Sequence, residues 1–228
     1  MRATYCLIIA ETAAYLVSLF YSSIVIDDLG FSASGLLHGQ IWTLVTYMFV
    51  HVDLYQLAFN MFFLYVFGIA LEDRSGAKKT LVLFFAAGAL SLILGIPFYP
   101  ADTRIVGSSI AVSALVGADV VLAPNRKSPL LLFAPLGLVA TTYLIFNVFM
   151  SVYDQSGGIA YQSHIIGFFI GVIFGLVWMK QGPSVRHQDD NRRTEPGGKR
   201  MPYLIRRPFP DLRPSKARSL GRHPSNRT

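Results

Sequence analysis

The chain has 228 residues, 53% of them hydrophobic and only 14% charged. About a quarter of an ordinary soluble domain is charged, so this composition excludes that class. The net charge of +7 is concentrated at one end, with 12 Lys and Arg against four acids after Gln181 and an excess of one negative charge before it.

Six stretches are apolar over roughly the 20 residues needed to cross a hydrocarbon core of about 30 Å. The first, 3–26, is too long for the apolar part of a signal peptide and lacks an Ala-x-Ala exit, so it reads as a retained span. It carries Cys6, the only cysteine, which leaves no intramolecular disulfide and no thiolate zinc site. It also carries Glu11, to which the sequence assigns no role. Residues 41–50 are apolar but too few to span, and read as an interfacial loop. The second span, 54–71, holds Gln56 and Asn60, with His51 just before it and Glu72 just beyond. Its aromatics Phe62, Phe63, Tyr65 and Phe67 are expected in the core or against lipid. The third span is 80–98. The fourth, 105–123, opens on Gly107-Ser108-Ser109 and carries Asp119 toward its far end. The fifth is 130–150, and the sixth, 158–179, carries His164.

All six are expected to be helices, because lipid cannot satisfy an open sheet edge. The fold class is therefore all-α, a polytopic six-helix membrane bundle over 1–180 followed by a tail, 181–228. The tail holds 7 of the 12 prolines and little apolar surface, which predicts disorder. Its basic charge has no aromatic interleaving and no nucleic-acid module, so the expected partner is anionic lipid headgroups and not nucleic acid. With six spans both termini share a side. If that side is the cytoplasm, 19 of the 20 basic residues face inward and only Arg104 faces out, a positive-inside pattern. A multi-pass protein of the cell membrane follows, with both termini cytoplasmic.

Polar residues inside spans are costly and default to function. Spans two, four and six run the same way, and Gln56 with Asn60, Ser108 with Ser109, and His164 all fall in the outer third. Ser109, Ser113 and Gly117 recur at i, i+4 and i+8, as His164, Gly167, Gly171 and Gly175 recur along one face of span six. Small faces let membrane helices approach closely. If these two meet, His164 can take the proton of Ser109 as general base, which a serine nucleophile requires. An oxyanion formed by its attack needs preorganised donors, and Asn60, Gln56 and the N–H of Ser109 at a helix start are candidates. Competing roles are packing for Ser109, an interhelical hydrogen bond for His164, and a structural bond for Asn60. Ser108 is the rival nucleophile. His51 is expected to support the outer loop, and His38, His51 and His164 lack any metal-binding motif, so neither metal nor cofactor is expected.

Taken together, His51-x4-Gln56-x3-Asn60, Gly68-x2-Leu71-Glu72-x3-Gly76, Gly107-Ser108-Ser109-Ile110 with Ala114-Leu115-x-Gly117-Ala118, and His164-x2-Gly167-x3-Gly171 resemble the rhomboid proteases of six-span, prokaryotic type. Trp42, Thr46 and Phe49-Val50-His51 resemble the family's first outer loop, and the match covers roughly 40–180. The resemblance implies a Ser109–His164 dyad without a third acid, cleaving membrane-anchored proteins near the outer surface. It also implies supporting roles for Gly107, Gly167 and Gly171. Three positions depart from the pattern: Gln56 replaces a histidine, Ser113 an aromatic, and Ile110 a glycine. The alternative is a catalytically inactive relative that binds membrane clients. A small transporter would instead predict polar groups along the whole membrane path.

Overall fold

In a computed structural model of the chain, the described residues are 2–20, 22–154 and 159–180. The basic tail, with its expected disorder and lipid contact, lies outside them. The described chain is helical and contains no β-strand; two isolated bridges, Phe31 with Ile105 and Lys127 with Pro135, tie loops together.

Helix α1 spans Ala3–Ser18, α2 Ser22–Leu29, α3 Ala33–Leu37 and α4 Thr43–Thr46, the last running into a 3-10 turn at Tyr47–Phe49. Long helices follow: α5 Leu54–Ser75 and α6 Ala77–Phe98. The last helices of the described residues are α7 Ser109–Leu122, α8 Leu136–Tyr153 and α9 Tyr161–Lys180. Helices α5, α6, α8 and α9 are long and apolar enough to cross a membrane, whereas α1 and α7 are shorter apolar helices. Each of the six apolar stretches overlaps one of these helices, and 41–50 forms only the short α4 and its turn.

Several helix ends differ from the apolar runs, and for two of them the cause is visible. Span four does not begin at Ile105, because Ile105 pairs with Phe31 in extended backbone, its N–H donating at 2.8 Å to the Phe31 carbonyl. Gly107 then turns the chain at φ +102°, a region that disfavours any side chain, so the helix starts at Ser109. Span five begins at Leu136 and not near 130, because Pro135 disfavours helical backbone in the residue before it. Leu132 and Phe133 take positive φ in the preceding turn. The α1 helix stops at Ser18 although 19–26 continue apolar, and no Gly or Pro explains the stop.

At 14 residues, α7 rises only about 21 Å. It can be short because it is sheltered: every residue from Ile110 to Asp119 is buried, and α5, α6, α8 and α9 all pack against it. Its closest neighbour is α9. A Cβ on Gly171 would run into the carbonyl of Ala114, and one on Gly117 into the carbonyl of Phe168. Association of helices in lipid depends on such close packing, since apolar tails provide no hydrophobic drive between helices. At the opposite end, Glu72 of α5 accepts the N–H groups of Ala3 and Thr4 at 2.9 and 3.0 Å and the Thr4 hydroxyl at 2.7 Å. A carboxylate from one helix thus caps the free amides of another, which its own residue Arg2 does not cap.

Candidate active site

Tight α7–α9 packing brings two polar side chains together at one end of the pair. Ser109 is the first residue of α7, and His164 lies in the first turn of α9. The Ser109 Oγ and His164 Nε2 are 2.8 Å apart. Gly167, one turn further along α9, sits against the carbonyl of Ile110, where a Cβ would approach to 2.7 Å. The Gly107 N–H donates to the Tyr47 carbonyl at 2.8 Å, which anchors the turn just before Ser109.

On its other edge the His164 ring presents Nδ1 at 2.9 Å from Asn147 Oδ1 of α8. The Asn147 Nδ2 in turn donates to the Tyr143 carbonyl at 2.9 Å. Sequence reading did not single out Asn147, although a buried amide within an apolar span is the same signal that marks Asn60. Tyr143 also meets Ser113, hydroxyl to hydroxyl at 2.6 Å. An aromatic side chain from α8 therefore approaches position 113, which itself lacks one.

The two amides of α5 are held from both sides. Asp53 caps the helix by accepting the Gln56 N–H at 2.7 Å. The Gln56 Oε1 accepts the Val52 N–H at 2.9 Å, and its Nε2 donates to the Val106 carbonyl at 3.2 Å. Asn60 Nδ2 donates to His51 Nε2 at 3.0 Å. An amide NH2 carries two hydrogens, so each retains one beyond these bonds. Both groups lie by the bare Cα of Gly107: a Cβ there would sit 2.8 Å from Gln56 Nε2 and 3.4 Å from Asn60 Nδ2.

Burial lowers His51 to about 4, so its ring is neutral near pH 7 and can accept at Nε2. Glu11 Oε2 lies 3.7 Å from that nitrogen and accepts the Ser108 hydroxyl at 2.6 Å. Ser108 is fully buried and bonded toward α1, on a different partner from Ser109. Glu11 thus belongs to a buried cluster with Ser108 and His51. His38 is exposed, with Nδ1 2.7 Å from the Ser34 carbonyl oxygen. Among the described residues no group of three or more His, Cys, Asp or Glu is arranged to hold a metal ion.

Two cavities flank the Ser109–His164 pair. The larger, about 570 Å³, is mostly apolar; Phe59 and Phe63 of α5 and Leu138, Val139 and Phe146 of α8 line it, with Asn60 and Asn147 among its few polar groups. The smaller, about 140 Å³, is bordered by Gln56, Thr103 and Arg104. A serine hydroxyl hydrogen-bonded to imidazole, next to spare amide donors and an apolar cleft, has the parts needed for acyl transfer.

The family model described as the Rhomboid domain matches residues 38–181. Rhomboid-like protease 2 of Toxoplasma gondii is 24% identical over 65% of this chain and 51% of its own length. Rhomboid protease GluP of Bacillus subtilis is 31% identical over 60% of this chain and 27% of its own. Putative rhomboid protease YdcA of the same organism is 25% identical over 64% and 72%. The chain thus spans about half the length of the first of these relatives and less of the second.

Proposed function

The chain belongs to the rhomboid family, and on that premise we propose that it is an intramembrane serine endopeptidase that cuts membrane-anchored protein substrates. The observation that carries the reading is the 2.8 Å contact between Ser109 Oγ and His164 Nε2 at the start of a buried helix. As Ser109 attacks a scissile carbonyl, its proton passes to His164 Nε2. The carbonyl oxygen becomes an oxyanion beside the N–H of Ser109 and the remaining N–H groups of Asn60 and Gln56. Collapse breaks the C–N bond, and the proton on His164 goes to the leaving amine. Water then hydrolyses the acyl-Ser109 ester with His164 again as base. The larger, apolar cavity suits the side chains of a transmembrane segment. The smaller one, with its polar border, suits the water.

His51 holds Asn60, and Gly107, Gly167 and Gly171 serve the turn and the close helix contact. Six helices cross the cell membrane, with α1 and the sheltered α7 included. Both termini are cytoplasmic and the site opens outward, because that orientation puts the basic residues inside.

Cleavage of a membrane-embedded model substrate by purified protein tests the reading. Ser109→Ala is expected to abolish turnover, and Ser108→Ala to retain it. Full activity in Ser109→Ala would contradict a serine-protease function and leave client binding as the better account.

A further inference from the structure

A neutral imidazole carries one ring proton, and it can act as base toward Ser109 only when that proton is on Nδ1. The opposite tautomer would aim an N–H at the serine hydroxyl and accept nothing from it. We propose that Asn147 is a positioning residue that fixes His164 as the Nδ1–H tautomer, so that the catalytic pair works as a Ser109–His164–Asn147 relay. The proposal rests on the Ser109–His164 reading and deepens it.

The Tyr143 carbonyl favours one arrangement of the Asn147 amide. Its Oδ1 lies 2.9 Å from His164 Nδ1 while its Nδ2 donates to the Tyr143 carbonyl at 2.9 Å. Turning the amide over would set Oδ1 against the Tyr143 carbonyl oxygen and the NH2 group against Nδ1. The carbonyl of α8 therefore orients the amide, the amide oxygen holds the Nδ1 proton, and the Nε2 lone pair is left facing Ser109. Asn147 is 2% exposed and His164 6%, so water competes little for either bond. An amide also suits its place better than a carboxylate, since it accepts a hydrogen bond without a buried charge. When His164 takes the serine proton, the same oxygen remains bonded to Nδ1 and keeps the ring in place for proton return.

The test uses the full chain with Asn147→Leu, which removes the acceptor, and Asn147→Asp, which keeps one. Asn147→Leu is expected to lose about 10–100-fold in kcat, the size of loss seen when the hydrogen-bond partner that orients a metal-bound histidine is removed. Its KM for the model substrate should change less than its kcat, since Asn147 is only 2% exposed and offers the substrate cavity little surface. Asn147→Asp should retain more kcat than Asn147→Leu. Nitrogen-15 NMR of ring-labelled histidine, with His164 assigned by difference from His164→Ala, should give a protonated Nδ1 and bare Nε2 in the unmodified chain. In Asn147→Leu that preference should be lost.

An Nε2-protonated His164 in the unmodified chain overturns the proposal without reference to any variant. So does undiminished kcat in Asn147→Leu, or an equal loss in both variants with the ring tautomer unchanged. Ser109→Ala and His164→Ala, run alongside, separate the two failures. If they are inactive while Asn147→Leu is not, only the relay is wrong. If they remain active, the dyad itself is wrong.

Discussion

Asn60 and Gln56 stand one turn apart on α5, and their surroundings decide how each can serve an oxyanion. From the sequence, Gln56 looks the weaker donor, because a long side chain loses more entropy when fixed. The structure removes that difference: both ends of the Gln56 amide are bonded, at 2.9 and 3.2 Å, and Asn60 is held by His51 at 3.0 Å. Asn60→Ala is therefore expected to raise the barrier by about 2.7–4 kcal/mol, the cost of one such donor elsewhere, and Gln56→Ala by a comparable amount. Steady-state kcat on the model substrate measures both, and an unchanged kcat in Asn60→Ala would remove it from the site. Ser109, His164 and Asn60 could be picked out in the sequence because a polar group in an apolar span has few reasons to be there. Glu11 and Asn147 carry the same signal, yet no role could be read for them. Their partners, Ser108 and His164, come from other helices 97 and 17 residues away.

At the scale of helices, the apolar runs mark where membrane segments lie but not where helices begin. A run of Ile, Val and Leu has the same hydropathy in extended and helical backbone. Ile105 is extended because Phe31, far off in sequence, pairs with it, and residues 130–132 are kept out of α8 by Pro135 three or more residues later. The contact between α7 and α9 was legible as two small-residue faces. The facing surface in the structure includes Ile110, Ala114 and Ala118, one residue round from Ser109, Ser113 and Gly117. A side chain at Gly171 must push the Ala114 carbonyl away. Gly171→Val is expected to cost about 1–3 kcal/mol by overpacking and to lower the Tm of the detergent-solubilised protein. Gly175→Ala, whose Cβ would meet Ala118 at 3.0 Å, should cost less. Equal Tm values for Gly171→Val and the unmodified chain would show that the two backbones are not in close contact.

For the molecule as a whole, the proposed orientation rests on charge. That proposal can be read from the sequence alone, because positive-inside bias depends on how many Lys and Arg each loop holds and not on packing. In a Cys6→Ser background, Asp102→Cys should react with a membrane-impermeant thiol reagent in intact cells, and Lys127→Cys should react only after lysis. Both positions are exposed, so burial does not confuse the result. The reverse pattern would invert the topology and place the candidate site on the cytoplasmic side.

The claim on which all three scales converge is that Ser109 is an activated nucleophile. Its hydroxyl is ordinary unless His164 accepts the proton, so an electrophile that reacts only with activated serines reads the pair directly. Incubating the purified, folded protein with a fluorophosphonate probe and mapping the modified peptide is the most direct measurement. Labelling is expected on Ser109 and is expected to disappear in both Ser109→Ala and His164→Ala. Labelling of Ser108 instead, or undiminished labelling of Ser109 in His164→Ala, would contradict the account.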